Sequence, residues 1–178
     1  MNNIMMSKKL IAIAILAGSA FASVAQAADG TINFIGTITA DACTVDAGSK
    51  NQDVQLGTIS SSSFAGAGSA AGAERFSVTL QACPASATSA SVVFDGQTVA
   101  ANSSLLALTP GGEATGVGVG IYEEDSVTLI PIGSRSTSKP LSTTTPTTFN
   151  YIAKYVATAA TVGDGSANAV SNFTISYN

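Results

Sequence analysis

Residues 171–178 read SNFTISYN, and Phe173, Ile175 and Tyr177 alternate there with Asn172, Thr174 and Ser176. Alternation with a period of two marks a half-buried strand, with one face on a core and the other in water. A strand at a chain end frays unless something holds it. This one is apolar enough to need a neighbour, and the rest of the chain points to another molecule as that neighbour.

Working outward, the same period recurs in short runs. Thr31–Thr39 (TINFIGTIT) alternates Ile32, Phe34, Gly36 and Ile38, Val54–Ile59 follows, and Phe76, Val78 and Leu80 alternate in RFSVTLQAC. Ser91–Phe94, Val117–Ile121, Thr128–Ile132, Phe149–Val156 and the terminal run complete the set. Glu123-Glu124-Asp125 between two of these runs predicts a hairpin with an acidic tip. Clusters of Ser, Gly, Pro and Thr separate the runs as turns do. Many short strands so punctuated predict an all-β sandwich or barrel. The stretch Ser60–Ala73 (SSSSFAGAGSAAGA) reads as a flexible surface loop, with a short alanine-driven helical turn as the alternative. Ser136–Phe149 reads as an extended connection stiffened by Pro140 and Pro146.

The N-terminus carries Lys8 and Lys9, the apolar run LIAIAILAG, and Ala25-Gln26-Ala27. That is the order of a secretory signal peptide, and it predicts cleavage before Ala28. As a membrane anchor the run falls short of the roughly 20 residues a span needs. The expected division is a signal segment over 1–27, an N-terminal extension over 28–41 and one domain over 42–178. Export places Cys43 and Cys83 in an oxidising compartment, where a single intramolecular pairing is open to them. The competing readings are two buried thiols or metal ligands. With no histidine and no third cysteine, a thiolate metal site lacks soft ligands.

Losing Lys8 and Lys9 leaves five basic residues against eleven acidic ones, a net charge of −6. Lys50, Arg75, Arg135, Lys139 and Lys154 are scattered singly, which gives none of the basic stripe a nucleic-acid partner requires. Catalysis fares no better. The commonest general base is missing from the chain. Glu123 and Glu124, the densest carboxylates, are adjacent, and neighbours on a strand point to opposite faces. A solvated hairpin tip is the expected role of that cluster, with weak Ca²⁺ binding as the alternative. Asn102-Ser103-Ser104 and Asn172-Phe173-Thr174 match the glycosylation triplet, a pattern common by chance.

Taken together, DGTINFIGTITADACTV (29–45), the spacing of Cys43 and Cys83, VQLG at 54–57 and the ending resemble the pilins of bacterial chaperone–usher fimbriae. The likeness is greatest to the major shaft subunits of type 1-like fimbriae. The family's β-zipper signature, a penultimate Tyr and a Gly fourteenth from the end, falls on Tyr177 and Gly165. The resemblance implies an incomplete immunoglobulin-like β-sandwich lacking its last strand, with an N-terminal donor-strand extension. It implies that Ile32, Phe34, Gly36 and Ile38 fill a groove in the next subunit, where Gly36 passes a shallow point; read from the residues alone, Gly36 is equally a bulge or a tolerated glycine. It implies that Gly165, Phe173, Ile175 and Tyr177 mark the strand that a chaperone, and later a neighbour, lies against. Strand addition of this kind has chaperone–pilin complementation as a standard example.

The expected function is therefore a non-enzymatic, cofactor-free subunit of a surface fimbrium that supports cell adhesion. It is exported through the periplasm. Its expected partners are copies of itself, a periplasmic chaperone, an outer-membrane usher and a tip adhesin or adaptor. The alternative is a minor tip or adaptor subunit, or a monomeric glycan-binding module; a small hydrolase is the third reading.

Overall fold

The computed structural model describes residues 29–36, 38, 42–111 and 113–178. The expected signal segment, 1–27, lies outside the described residues, as do Thr37, Thr39, Ala40 and Asp41. The chain divides into two units, residues 1–38 and residues 39–178. In the first unit the described residues form no helix or strand, although a strand over Thr31–Thr39 was the expectation. A lone alternating segment has no ladder to join, and an isolated strand does not persist in water. Ile32, Phe34, Ile35 and Ile38 are exposed, Phe34 by 94% and Ile38 fully.

The second unit is all-β. Its strands are β1 (Thr44–Val45), β2 (Ala70–Gln81), β3 (Ser89–Asp95), β4 (Thr98–Val99), β5 (Asn102–Leu106), β6 (Val117–Glu123), β7 (Leu129–Ile130), β8 (Lys139–Pro140), β9 (Thr147–Ala157) and β10 (Asn172–Tyr177). The larger sheet runs β1-β2-β9-β6-β5-β4, with β7 also on β6; the smaller runs β10-β3-β8. Every pairing between these strands is antiparallel. Alternating residues of both sheets meet in one core: Val78 and Leu80 from β2, Val92 and Phe94 from β3, Val119 and Ile121 from β6, Phe149 and Tyr151 from β9. Phe94 stands edge-on to Tyr151, with ring centroids 4.9 Å apart, and Phe76 closes the cluster 5.8 Å from Phe94. Edge-to-face aromatic packing of this kind adds to the area term. The Tyr151 hydroxyl donates to Ser136 Oγ, which also accepts the Val92 amide at 2.9 Å. Burial is the main cause pushing the Tyr151 phenol well above its ordinary pKa, and the negative charge of Glu123 adds to it.

Two expectations need correction. Val54–Ile59 keeps its alternation, with Val54, Leu56 and Ile59 half-buried, yet forms no strand. Among the described residues no backbone hydrogen bond joins Asp53–Ile59 to a neighbour. The stretch Ser60–Ala73 is a loop only in its first part. A 3₁₀ turn covers Ser61–Ser63, its start capped by the Ser60 hydroxyl, and β2 begins at Ala70. The strand runs back past Phe76 because a bulge between Ala71 and Glu74 takes up the register shift, with Gly72 at φ +69°. A left-handed residue inside a strand suits Gly.

The hairpin expectation holds. Ile121 pairs with Ile130 and Tyr122 with Leu129. At the tip Asp125 Oδ1 accepts the amides of Val127 and Thr128. The three carboxylates serve different partners: Glu123 accepts the Thr137 amide, and Glu124 accepts Asn150 Nδ2 and pairs with Lys139.

In β6 both faces are covered. Val117, Val119 and Ile121 enter the core, and Gly118 and Gly120 face the opposite side, against Val99, Leu105 and Val156. A Cβ on Gly118 would stand 2.7 Å from Val99 Cγ2 and 2.9 Å from the Leu106 carbonyl oxygen. The second contact is backbone and cannot rotate away. Gly118→Ala is expected to destabilise the domain by about 1–3 kcal/mol, the usual cost of overpacking. Urea unfolding checks this: the midpoint falls with the slope unchanged, and an unaltered midpoint would mean that β5 yields freely.

Candidate functional site

Between the two sheets the second unit is open along one side. A trough of about 1140 Å³ has Phe76, Val78, Phe94, Val119, Ile121 and Tyr155 in its floor. One bank is Val54–Thr58 and the other is Ala167–Phe173. The floor is apolar because these are the inward positions of β2, β3, β6 and β9. Among the described residues β10 pairs with β3 and with no other strand, and Val54–Ile59 joins no ladder.

A smaller cavity of about 390 Å³ shares Gly57, Thr58, Tyr155 and Ala167 with the trough and has Phe64, Val117, Val162 and Gly165 in its wall. Gly165 has φ +153° and precedes Ser166, which bridges to Glu113. The Tyr155 hydroxyl donates to the Ala167 carbonyl at 3.0 Å and so holds this bank to β9.

The residues expected to mark the terminal strand are strung along it rather than gathered. Gly165 lines the smaller cavity and Phe173 the trough bank. Ile175 and Tyr177 line neither; both pack on the core from β10, opposite Val92 and Ala90 of β3. The Tyr177 hydroxyl reaches the far side of the molecule's seam and accepts the Cys43 amide at 3.1 Å. Cys43 and Cys83 are bonded, with Cα atoms 4.1 Å apart, just before β1 and just after β2. The bond thus staples the start of the domain to the end of its longest strand. Val54 and Leu56 on the opposite bank were not singled out as site residues, although their alternation was the signal that could have found them. Among the described residues no group of three or more His, Cys, Asp and Glu could hold a metal ion, and no helix is long and apolar enough to cross a membrane.

The two antiparallel sheets form a sandwich with a trough along one side. The family described as "Fimbrial protein" matches residues 32–178, and the chain belongs to it. The chain is 38% identical to the "Type-1 fimbrial protein subunit" of Serratia marcescens, covering 97% of this chain and 99% of that one. It is also 38% identical to the "Probable major fimbrial subunit LpfA" of Escherichia coli O157:H7, over 94% of this chain and 93% of the relative. Among solved structures, a Burkholderia pseudomallei antigen and type I fimbria protein superposes with a TM-score of 0.60 at 38% identity, covering 83% of this chain and 97% of that one. The fold is thus the immunoglobulin-like sandwich of pilus subunits, with no strand beyond β10 in the smaller sheet among the described residues. The chain is a structural fimbrial subunit and not an enzyme.

Proposed function

We propose that this chain is the shaft-forming subunit of a chaperone–usher fimbrium and that it polymerises by donor-strand exchange. The supporting observation is the pairing of two defects. The second unit has a trough floored by apolar side chains, beside which β10 pairs with β3 alone among the described residues, and the first has an apolar alternation with its side chains in solvent. Ile32, Phe34 and Ile38 are the anchors that enter the trough of the next copy, with Gly36 between them. Donor and acceptor are different surfaces, so the contact is heterologous and does not close; it extends as a filament. Before assembly a periplasmic chaperone supplies the missing strand along Phe173, Ile175 and Tyr177. An outer-membrane usher then exchanges it for the extension of the next subunit, and a tip adhesin or adaptor ends the fibre. The role in adhesion is to carry that tip away from the cell surface.

Magnitudes favour an exchange that is one cooperative unit. Burying Ile32, Phe34 and Ile38 contributes about 1.5–3 kcal/mol each. Ordering nine backbone residues costs about 1–2 kcal/mol apiece. The side chains alone fall short, and the balance must come from the new ladder and from closing the acceptor's core. A completed filament is therefore expected to resist SDS. Electrophoresis of unboiled fibres should show a ladder of high-mass bands that collapses to one band on boiling; a single band without boiling would overturn the polymer reading.

A further inference from the structure

We infer that Tyr155 is a positioning residue that sets where the ladder of a seated segment ends, and with it the register of that segment along the trough. The inference rests on the donor-strand reading above. It starts from the backbone just before β10, which continues the strand's inward alternation: Ala167, Ala169 and Ser171 are half-buried like Phe173 and Ile175, and Asn168, Val170 and Asn172 between them are exposed.

Successive carbonyls of an extended chain point to opposite edges. The even-numbered groups are turned to the side of β3. At the strand end the Asn178 amide donates to the Ser89 carbonyl, and the Val170 carbonyl lies against Gly96, just past β3, where an added Cβ would stand 2.9 Å from it. Further back the same side meets a loop: the Asn168 carbonyl accepts the Thr109 amide at 2.7 Å and the Ser166 carbonyl accepts the Ala114 amide at 2.8 Å. The Ala167 carbonyl between them is turned the other way, and there the Tyr155 hydroxyl donates to it at 3.0 Å. Tyr155 is buried in β9, opposite Val119 of β6. Tyr155 and Ala167 both line the trough and the smaller cavity, so the bond lies where the two spaces meet.

A segment pairing along this edge from β10 towards Ala167 meets the backbone groups of Phe173, Ser171 and Ala169 in turn. Next comes a carbonyl that already has its donor, before the amide of Ala167 is reached. The ladder therefore stops at Ala169. Side chains alone do not fix this point, because a strand's faces repeat every two residues. A segment alternating Ile32, Phe34, Gly36 and Ile38 presents an apolar face again after a shift of two. The phenol decides between such registers by closing the one that runs on towards the smaller cavity.

Tyr155→Phe keeps the ring and removes the hydroxyl. The partly buried Ala167 carbonyl is then left without its donor, which is costly away from water, and an amide of the incoming segment takes the vacated place. The test is hydrogen exchange read residue by residue on the full mature chain, below the concentration at which it polymerises, without and with a synthetic peptide of residues 29–39. In the wild type the peptide should slow the Ala169 and Ser171 amides at least about tenfold and leave the Ala167 amide within about twofold. In the Tyr155→Phe chain the peptide should slow the Ala167 amide at least about tenfold as well. Lost stability speeds exchange, so a hydroxyl that only stabilises the domain cannot produce this slowing. A wild-type Ala167 amide slowed as much as that of Ala169, or a variant whose pattern matches the wild type, overturns the inference and leaves the donor-strand reading standing. Should the variant not fold, the contrast between Ala167 and Ala169 in the wild type decides alone. A peptide that slows none of the three amides overturns the donor-strand reading and the register stop with it.

Discussion

A fusion that repeats Asp29–Thr39 after Asn178 through a short Gly/Ser linker, with the natural extension deleted, is expected to be a soluble monomer that folds without a chaperone and does not polymerise. The physical reason is effective concentration. A tethered segment faces the trough at roughly millimolar concentration or more, so an intermolecular event becomes an intramolecular one. If that concentration exceeds the segment's dissociation constant about a thousandfold, the folded state gains about 4 kcal/mol, which raises the midpoint of thermal unfolding by about 8–16 °C for a domain of this size. The comparison is the same deletion without the appended segment. That protein retains β10, paired with β3 alone among the described residues, and the unladdered bank Val54–Ile59, and it is expected to unfold early or aggregate through them. Equal midpoints, with the unfused domain already cooperative and monomeric, would show that the sandwich is complete alone.

Much of this architecture was legible because alternation reports burial. β2, β3, β6, β9 and β10 carry their inward residues at every second position, and each lies where the alternation predicts a strand. Val54–Ile59 shows the limit of the same signal. Its side chains do what a strand's do, with Val54 and Leu56 turned to the core, but alternation says nothing about the ladder, and no partner edge lies beside it. Thr31–Gly36 and Ile38, the described residues of the N-terminal alternation, form no strand either. β8 was hidden for another: it is two residues long and includes Pro140, which has no amide to donate. β5 begins with Asn102 and two serines, so its apolar half, Leu105–Leu106, is too short to show a period. The trough was half legible. Its Phe173 bank could be read from the terminal run, but its floor consists of ordinary core positions, and nothing in their alternation marks the space beside them.

Removing the Cys43–Cys83 bridge by Cys43→Ser together with Cys83→Ser is expected to cost about 4 kcal/mol, the chain-entropy value for a loop closed over 40 residues. That is a large part of the roughly 5–15 kcal/mol that holds a domain together. The local loss comes first. β1 is two residues long and pairs only with β2, so without the staple nothing covalent holds Thr44 and Val45 against Gln81 and Leu80. The Cys43 amide then leaves the Tyr177 hydroxyl, and the free edge of the larger sheet lengthens. In the open domain the double substitution should leave too little stability for refolding, so the measurement belongs in the strand-appended fusion, where the seated segment keeps the variant folded. There, urea unfolding of the two proteins should differ by about 3–5 kcal/mol at similar slopes. A difference under about 1 kcal/mol would mean that the β1–β2 pairing and the core already restrict residue 43 as tightly as the sulfur bridge does.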